Sequence, residues 1–305
     1  MKLIVQPDEG VTPLLAAIDK ARTSIDIMVF RLDIKEVVDG LAAAVARGVA
    51  VRALIAHTNR GGEKSLRRLE TRLLDVGATV TRTSDDLVRY HAKMMVIDGR
   101  RLHVNGFNFT WLDVDRSRSF GVTTSVRRLV QEASKLFQAD CDRQGYQCGC
   151  DRFVVSPQNA RERLAAFIKG ARRQLLIYDP KVSDPRMLRL LAERRQAGVD
   201  VRIIGSVGAR ARDCREVSGG RLHVRAIVRD GLRAFVGSQS LRSLELDRRR
   251  EVGVFVHERP AVRKMQATFE HDWALTEAGR READEAESRR EAESRRGEAG
   301  ASPTA

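Results

Sequence analysis

Two stretches of the chain carry side chains suited to phosphate chemistry at matched spacing. YHAKMMVID, residues 90–98, sets out His91, Lys93 and Asp98, and LHVRAIVRD, residues 222–230, repeats the pattern as His223, Arg225 and Asp230. An imidazole can attack phosphorus through nitrogen or carry a proton, and a cation two residues on can neutralise non-bridging oxygens. Strand alternation puts His91, Lys93, Met95 and Ile97 on one face and Ala92, Met94 and Val96 on the other. A conservative reading exists for each part taken singly. Asp98-Gly99 and Asp230-Gly231 carry the signature of a tight hairpin, and a lone histidine on a strand is more often a satisfied core residue than a catalyst. Two copies together argue otherwise. Burying two histidines, a lysine and an arginine on like faces costs several kcal/mol unless an anion sits among them.

Each strand then returns to a small polar stretch, NGFN at 105–108 and GSQS at 237–240, where Asn108 and Ser240 can donate hydrogen bonds to phosphate oxygens. The chemistry follows from the groups. One histidine attacks a phosphodiester in line while the second protonates the leaving alcohol. The second then activates water or another alcohol to open the phosphohistidine, with Lys93 and Arg225 stabilising the charge that shifts.

The elements that must position these residues form an internal repeat. LLAAIDKARTSIDI at 14–27 matches LAAFIKGARRQLLI at 164–177 at an offset of 150, which also carries Pro7 onto Pro157 and RGVAVRALI onto AGVDVRIIG. The offset then falls to 132, because the first half spends 18 extra residues around NRGGEKSLRRLETRLLDVGATV; beyond it His91 falls on His223, Asp98 on Asp230, Gly121 on Gly253 and Phe137 on Phe269. Within each half an amphipathic helix runs into the strand SIDIMVF or its mate, then a second helix, then the strand VAVRALI or its mate. The glycine of RGV or AGV sits where a helix needs a left-handed stop. The expected fold class is α/β: two homologous halves, 1–150 and 151–276, each a mixed sheet flanked by helices, packed about a pseudo-twofold axis. From Glu277 the composition changes to eight acidic and six arginine side chains with little to bury, so 277–305 reads as a solvated helical or disordered tail.

The paired motifs HAKMMVID…NGFN and HVRAIVRD…GSQS resemble the two H-x-K-x-x-x-x-D motifs of the phospholipase D superfamily, over residues 3 to 275 and including FEHDW near the end. The resemblance implies two α/β halves with one site at their interface, a covalent phosphohistidine and no metal or other cofactor. It makes His91, His223, Lys93, Arg225, Asp98 and Asp230 catalytic candidates. It adds Glu251 of REVGV as the carboxylate that steadies His91, the nucleophile, leaving His223 as general acid; Asn108, Ser238 and Ser240 become phosphate-binding candidates. Departures from the pattern make the halves unequal. Asn105 and Gly106 stand where glycine and serine are usual, Arg225 replaces lysine, Ser240 replaces asparagine, and Ser119 occupies the position that matches Glu251. Arginine holds phosphate through a planar fork, so its exchange for lysine alters geometry.

A net charge of +14, about +16 without the tail, favours anionic partners. Phospholipid is the first expected substrate, in the style of cardiolipin synthases. GFNFTWL, with Phe107, Phe109 and Trp111, is the candidate apolar rim for peripheral membrane contact, although the same aromatics fit ordinary core packing. Nucleic acid is the alternative substrate, with SLRRLETR, ARARDCR and DRRRE able to track a phosphate backbone. Against it stands an aromatic content of 5%, which leaves few stacking platforms. A phosphate-binding protein without turnover is the reading from a different class, supported by Arg225, Ser119 and Ser240. No signal-peptide-like or membrane-spanning apolar run occurs, so a cytoplasmic location is expected, with peripheral membrane association as an option. Cys141, Cys148, Cys150 and Cys214 fit zinc spacing poorly and read as free thiols. No G-x-x-x-x-G-K loop points to ATP.

Overall fold

The computed structural model describes residues 1–58, 62–208, 216–217 and 220–299; Cys214 and the run ARARDCR lie outside them. The amphipathic segments become the helices Thr12–Asp19 and Lys35–Ala46, with their mates Ala160–Lys169 and Pro185–Gln196. Gly48 and Gly198 end the second helix of each half at φ of 84° and 80°, the left-handed stop that only glycine adopts without steric cost. The strands Ser24–Val29 and Ala50–Ile55 then pair in parallel, as do Gln174–Val182 and Asp200–Val207. Each motif strand, Met94–Ile97 or Ala226–Arg229, lies antiparallel on the other side and folds back through Asp-Gly onto Arg101–Asn105 or Arg233–Gly237. Both residues of each Asp-Gly pair have positive φ, 53° and 58° at Asp98-Gly99 and 56° and 67° at Asp230-Gly231, and the ladders close around the turn where Ile97 pairs with Arg101 and Arg229 with Arg233.

Two mixed sheets result, of nine and seven strands among the described residues. Their inner faces meet in one core. Met94, Val96, Val104 and Val122 of the first sheet share it with Val228, Val236, Val252 and Val254 of the second, and with the helices Arg127–Cys141 and Arg259–Ala274 through Phe137 and Phe269. Separate apolar clusters on the outer faces hold the remaining long helices, Leu14, Ile18 and Leu41 on one sheet and Leu164, Ile168 and Leu191 on the other. The extra residues of the first half build the helix Gly62–Asp75 and the strand Thr79–Arg82, which extends the first sheet. The C-terminal segment forms the helix Glu277–Ala299, anchored near its start by Glu282 to Trp273 Nε1 at 3.1 Å.

The halves also exchange strands. Arg89–Tyr90, just before His91, pairs in parallel with Arg249 and Arg250 of the second sheet; Arg221 and Leu222, just before His223, pair with Ser117 and Arg118 of the first. The backbone N–H of His91 donates to Arg250 O at 2.8 Å and that of His223 to Arg118 O at 3.2 Å. Each histidine is thereby set on the opposite half, beside the residue that follows: Glu251 or Ser119. The exchange is pinned by two repeat-related ion pairs across the halves, Arg250 with Asp140 at 2.8 Å and Arg118 with Asp272 of FEHDW at 2.8 Å. All four side chains are largely or fully buried, and each guanidinium meets its carboxylate through two nitrogens, the geometry in which a buried pair recovers its desolvation cost.

Candidate active site

At the exchanged strands His91 Nδ1 lies 3.0 and 2.9 Å from the two Glu251 oxygens, and Glu251 is fully buried. A carboxylate takes only the N–H tautomer at Nδ1, so Nε2 keeps its lone pair. Lys93, 1% exposed, places Nζ 2.9 Å from each ring nitrogen, and Phe30 sets its edge against the imidazole at 4.5 Å between centroids. Arg225 enters from the other half, with Nε donating to Ser240 Oγ at 3.2 Å; its buried Nη1 has no hydrogen-bond partner among the described residues. A buried guanidinium nitrogen without an acceptor is costly and points to an anion as its complement.

The electrostatics of the four groups are shared. Burial holds both imidazoles well below their ordinary value, and the charges of Lys93 and Arg225 push both the same way. Burial also lowers Lys93 to about 7, against the opposing pull of Glu251. The cluster is therefore short of negative charge. An anion entering it favours the protonated forms of all these bases.

Asp113 was not anticipated from the sequence. It stands on the short helix Trp111–Asp115, 1% exposed, with Oδ2 3.3 Å from His223 Nδ1 and Oδ1 accepting from Arg221 Nη1 at 2.6 Å. The position that repeats Glu251 is Ser119, and Ser119 Oγ donates only to the backbone oxygen of His223 at 3.1 Å. The carboxylate beside the second histidine therefore comes from six residues earlier in the chain. The available signal was that both halves carry an acid at this register, Asp113 and Glu245. Glu245 instead pairs with Arg249 at 2.8 Å.

Other expected site residues have different surroundings. Asp98 and Asp230 do not join the cluster: five residues of strand put Asp98 roughly 16 Å along from Lys93. Its Oδ1 accepts from the backbone N–H groups of Arg22, Thr23 and Ser24 at 3.0, 2.7 and 3.0 Å, and Asp230 does the same for Arg172, Arg173 and Gln174. They lock the hairpin to the preceding helix–strand turn. Asn108 gives its amide N–H to Asp113 Oδ2 at 2.6 Å, Ser238 Oγ accepts from Val252 N at 3.2 Å, and Ser240 supports Arg225. Asn108 and Ser240 thus hydrogen-bond the charged side chains of the cluster, and Ser238 the strand that carries Glu251. Phe107 and Phe109 are 0% and 1% exposed, in the outer core of the first half, so of the expected apolar rim only Trp111 reaches the surface, joined there by Leu112. Cys141, Cys148 and Cys150 are free thiols. Among the described residues no helix is long and apolar enough to cross a membrane.

Residues 14–141 of the chain match the family described as cardiolipin synthase, PLD-like domain, and solved structures extend the likeness of fold through both halves. Among solved structures it is similar to the polyphosphate kinase of Porphyromonas gingivalis, with a TM-score of 0.71 at 20% identity over 88% of this chain and 50% of that one. It is also similar to the phosphatidylserine synthase of Haemophilus influenzae Rd KW20, with a TM-score of 0.67 at 9% identity over 90% of this chain and 85% of that one. Among curated proteins, the polyphosphate kinase of Pseudomonas aeruginosa is 24% identical over 223 residues, 66% of this chain; the match spans 32% of that kinase's length.

Proposed function

We propose that the protein transfers a phosphoryl or phosphatidyl-type group through a covalent phosphohistidine, with His91 as nucleophile and His223 as proton carrier. The observation that carries this reading is the pairing of His91 Nδ1 with buried Glu251 next to Lys93 and the unpartnered Nη1 of Arg225. His91 Nε2 attacks phosphorus, the N–P bond forms, and the bond to the leaving oxygen breaks as His223 delivers its proton there. Water or an acceptor alcohol then gives a proton to His223 and attacks phosphorus, and the N–P bond breaks. Lys93 and Arg225 hold the non-bridging oxygens through both steps.

Phospholipid, hydrolysed or transferred to an acceptor, is the substrate that the likeness to cardiolipin synthase-type domains suggests. Its support in the structure is Trp111 and Leu112, 43% and 51% exposed on the helix that carries Asp113. The test is turnover by wild type and His91→Ala, in EDTA, of bis(p-nitrophenyl) phosphate, phosphatidylglycerol vesicles, cardiolipin vesicles and single-stranded DNA. Acid-labile, base-stable label on the wild-type protein, absent from His91→Ala, is the expected result. Turnover that survives the substitution would refute the mechanism.

A further inference from the structure

The proposed reaction uses one phosphate, yet the basic surface continues outward from it. Phe30, 5% exposed, packs on His91 and also lines a neighbouring cleft. It has Lys93 Nζ and Arg31 Cζ each 5.7 Å from its ring centre, and together with Arg31 it lines this open cleft of ≈ 280 Å³. Arg68, Arg72, Ser65 and Thr110 also line that cleft. Both arginines belong to the helix Gly62–Asp75, which the second half lacks, so the cleft is a feature of one side of the site alone.

Three guanidinium groups face one carboxylate in its lining. Arg72 Nη1 donates to the Leu32 backbone oxygen at 2.9 Å, which fixes its guanidinium without neutralising it. No carboxylate lies within ion-pair distance of Arg31, Arg68 or Arg72 among the described residues, whereas Arg67 on the same helix pairs with Glu63 at 3.0 Å. Asp33, the one acid in the lining, accepts from Trp111 N at 2.9 Å as a helix cap. Three guanidinium groups and the hydroxyls of the same lining suit several phosphate oxygens.

We propose that this cleft binds the phosphates next to the reacting one, so that the substrate is a linear oligophosphate running from the histidine pair past Phe30 onto Arg31, Arg68 and Arg72. The reading rests on the phosphohistidine mechanism above and sets an oligophosphate in place of phospholipid as its substrate class. A nucleic acid is the poorer fit, because the one aromatic ring in the lining already packs against His91, Arg31, Arg89 and Lys93 and offers no free face to a base. An acyl chain is poorer still, since the apolar side chains there, Leu32 and Leu69, are buried in the outer core.

Binding of orthophosphate, tripolyphosphate and a ten-residue oligothymidylate is to be measured by calorimetry at 0.15 M salt for three proteins. These are wild type, Arg31→Ala/Arg68→Ala, and Lys169→Ala/Arg259→Ala, which removes the same charge from exposed positions elsewhere. Tripolyphosphate is expected to bind wild type at least about tenfold more tightly than orthophosphate, the effect of one or two charged hydrogen bonds. The advantage should vanish in the first variant and persist in the second. Equal affinity for the two phosphates, equal loss in both variants, or tighter Arg31- and Arg68-dependent binding of the oligonucleotide would each overturn the proposal. Loss of the mechanism itself would show separately, as aryl diester turnover that does not need His91.

Discussion

The two copies of the motif reach one cluster by unequal means. In the first, His91 meets Glu251 directly, at the position that strand exchange sets beside it. In the second, the equivalent place holds Ser119, and His223 has Asp113, 3.3 Å away and already committed to Asn108 and Arg221. The first imidazole is held in one tautomer by its carboxylate; Nδ1 of the second has no hydrogen-bond partner among the described residues. The repeat therefore supplies a symmetric frame, and the difference between Glu251 and Ser119 at one register leaves the two histidines in unlike electrostatic settings, as the proposed division into nucleophile and proton carrier requires.

The largest expected effect breaks that division outright. His91→Ala should lower turnover by about 10⁴-fold or more whatever the leaving group, since no N–P bond can form. His223→Ala should cost on the order of 10²–10³-fold with an alkyl leaving group and far less with p-nitrophenolate, which departs without a proton. Equal leaving-group dependence in both variants would mean that the roles are not divided.

A second contrast lies where the halves differ without touching chemistry. His103 occupies the register that Phe235 holds in the second half, 2% exposed, with neither ring nitrogen partnered among the described residues. Burial, with Arg101 adding to it, pushes its pKa down from 6.5 to about 4. The unfolded chain thus binds the proton first as pH falls, so the stability of the neutral buried form is complete above 6.5 and lost on the way to 4. The amount is roughly 3 kcal/mol. His103→Phe should flatten that part of the pH dependence in urea unfolding followed from pH 7 to 4.5. An unchanged slope would locate the acid sensitivity in His91 and His223 instead.

The parts of this fold that were legible in the sequence are those with a local or periodic signature. The repeat offsets located both halves, Asp-Gly located both hairpins, and Gly48 and Gly198 located the helix stops. The pairing of His91 with Glu251 followed from a resemblance and is present in the geometry. Strand exchange was not legible, because Arg89–Tyr90 and Arg221–Leu222 are too short to carry a period and bond to residues more than a hundred positions away. Asp113 stayed hidden for the same reason: its partner is chosen by the exchange, and its own helix has five residues. Asp98 and Asp230, expected among the catalytic candidates, stand at the hairpin end of the motif strands and accept from backbone N–H groups of the preceding turn.

The finest test compares the two carboxylates. Glu251→Gln keeps the shape but can present an amide N–H to Nδ1, which favours the wrong tautomer of His91; a loss on the order of 10²-fold in turnover is expected. Asp113→Asn should cost about tenfold, because its carboxylate lies near His223 without a hydrogen bond to Nδ1. The two should also differ in kind. Removing the Asp113 charge lowers the basicity of His223, so the basic limb of the pH–rate profile, where the acid is lost, moves to lower pH. Glu251→Gln lowers the basicity of His91 in the same sense, which shifts the acidic limb, where the nucleophile protonates, to lower pH. Both variants must be checked by thermal unfolding, since Asp113 also holds Asn108 and Arg221. A shift of the same limb in both would mean that the two histidines trade roles freely, and that the asymmetry of their carboxylates is a matter of packing alone.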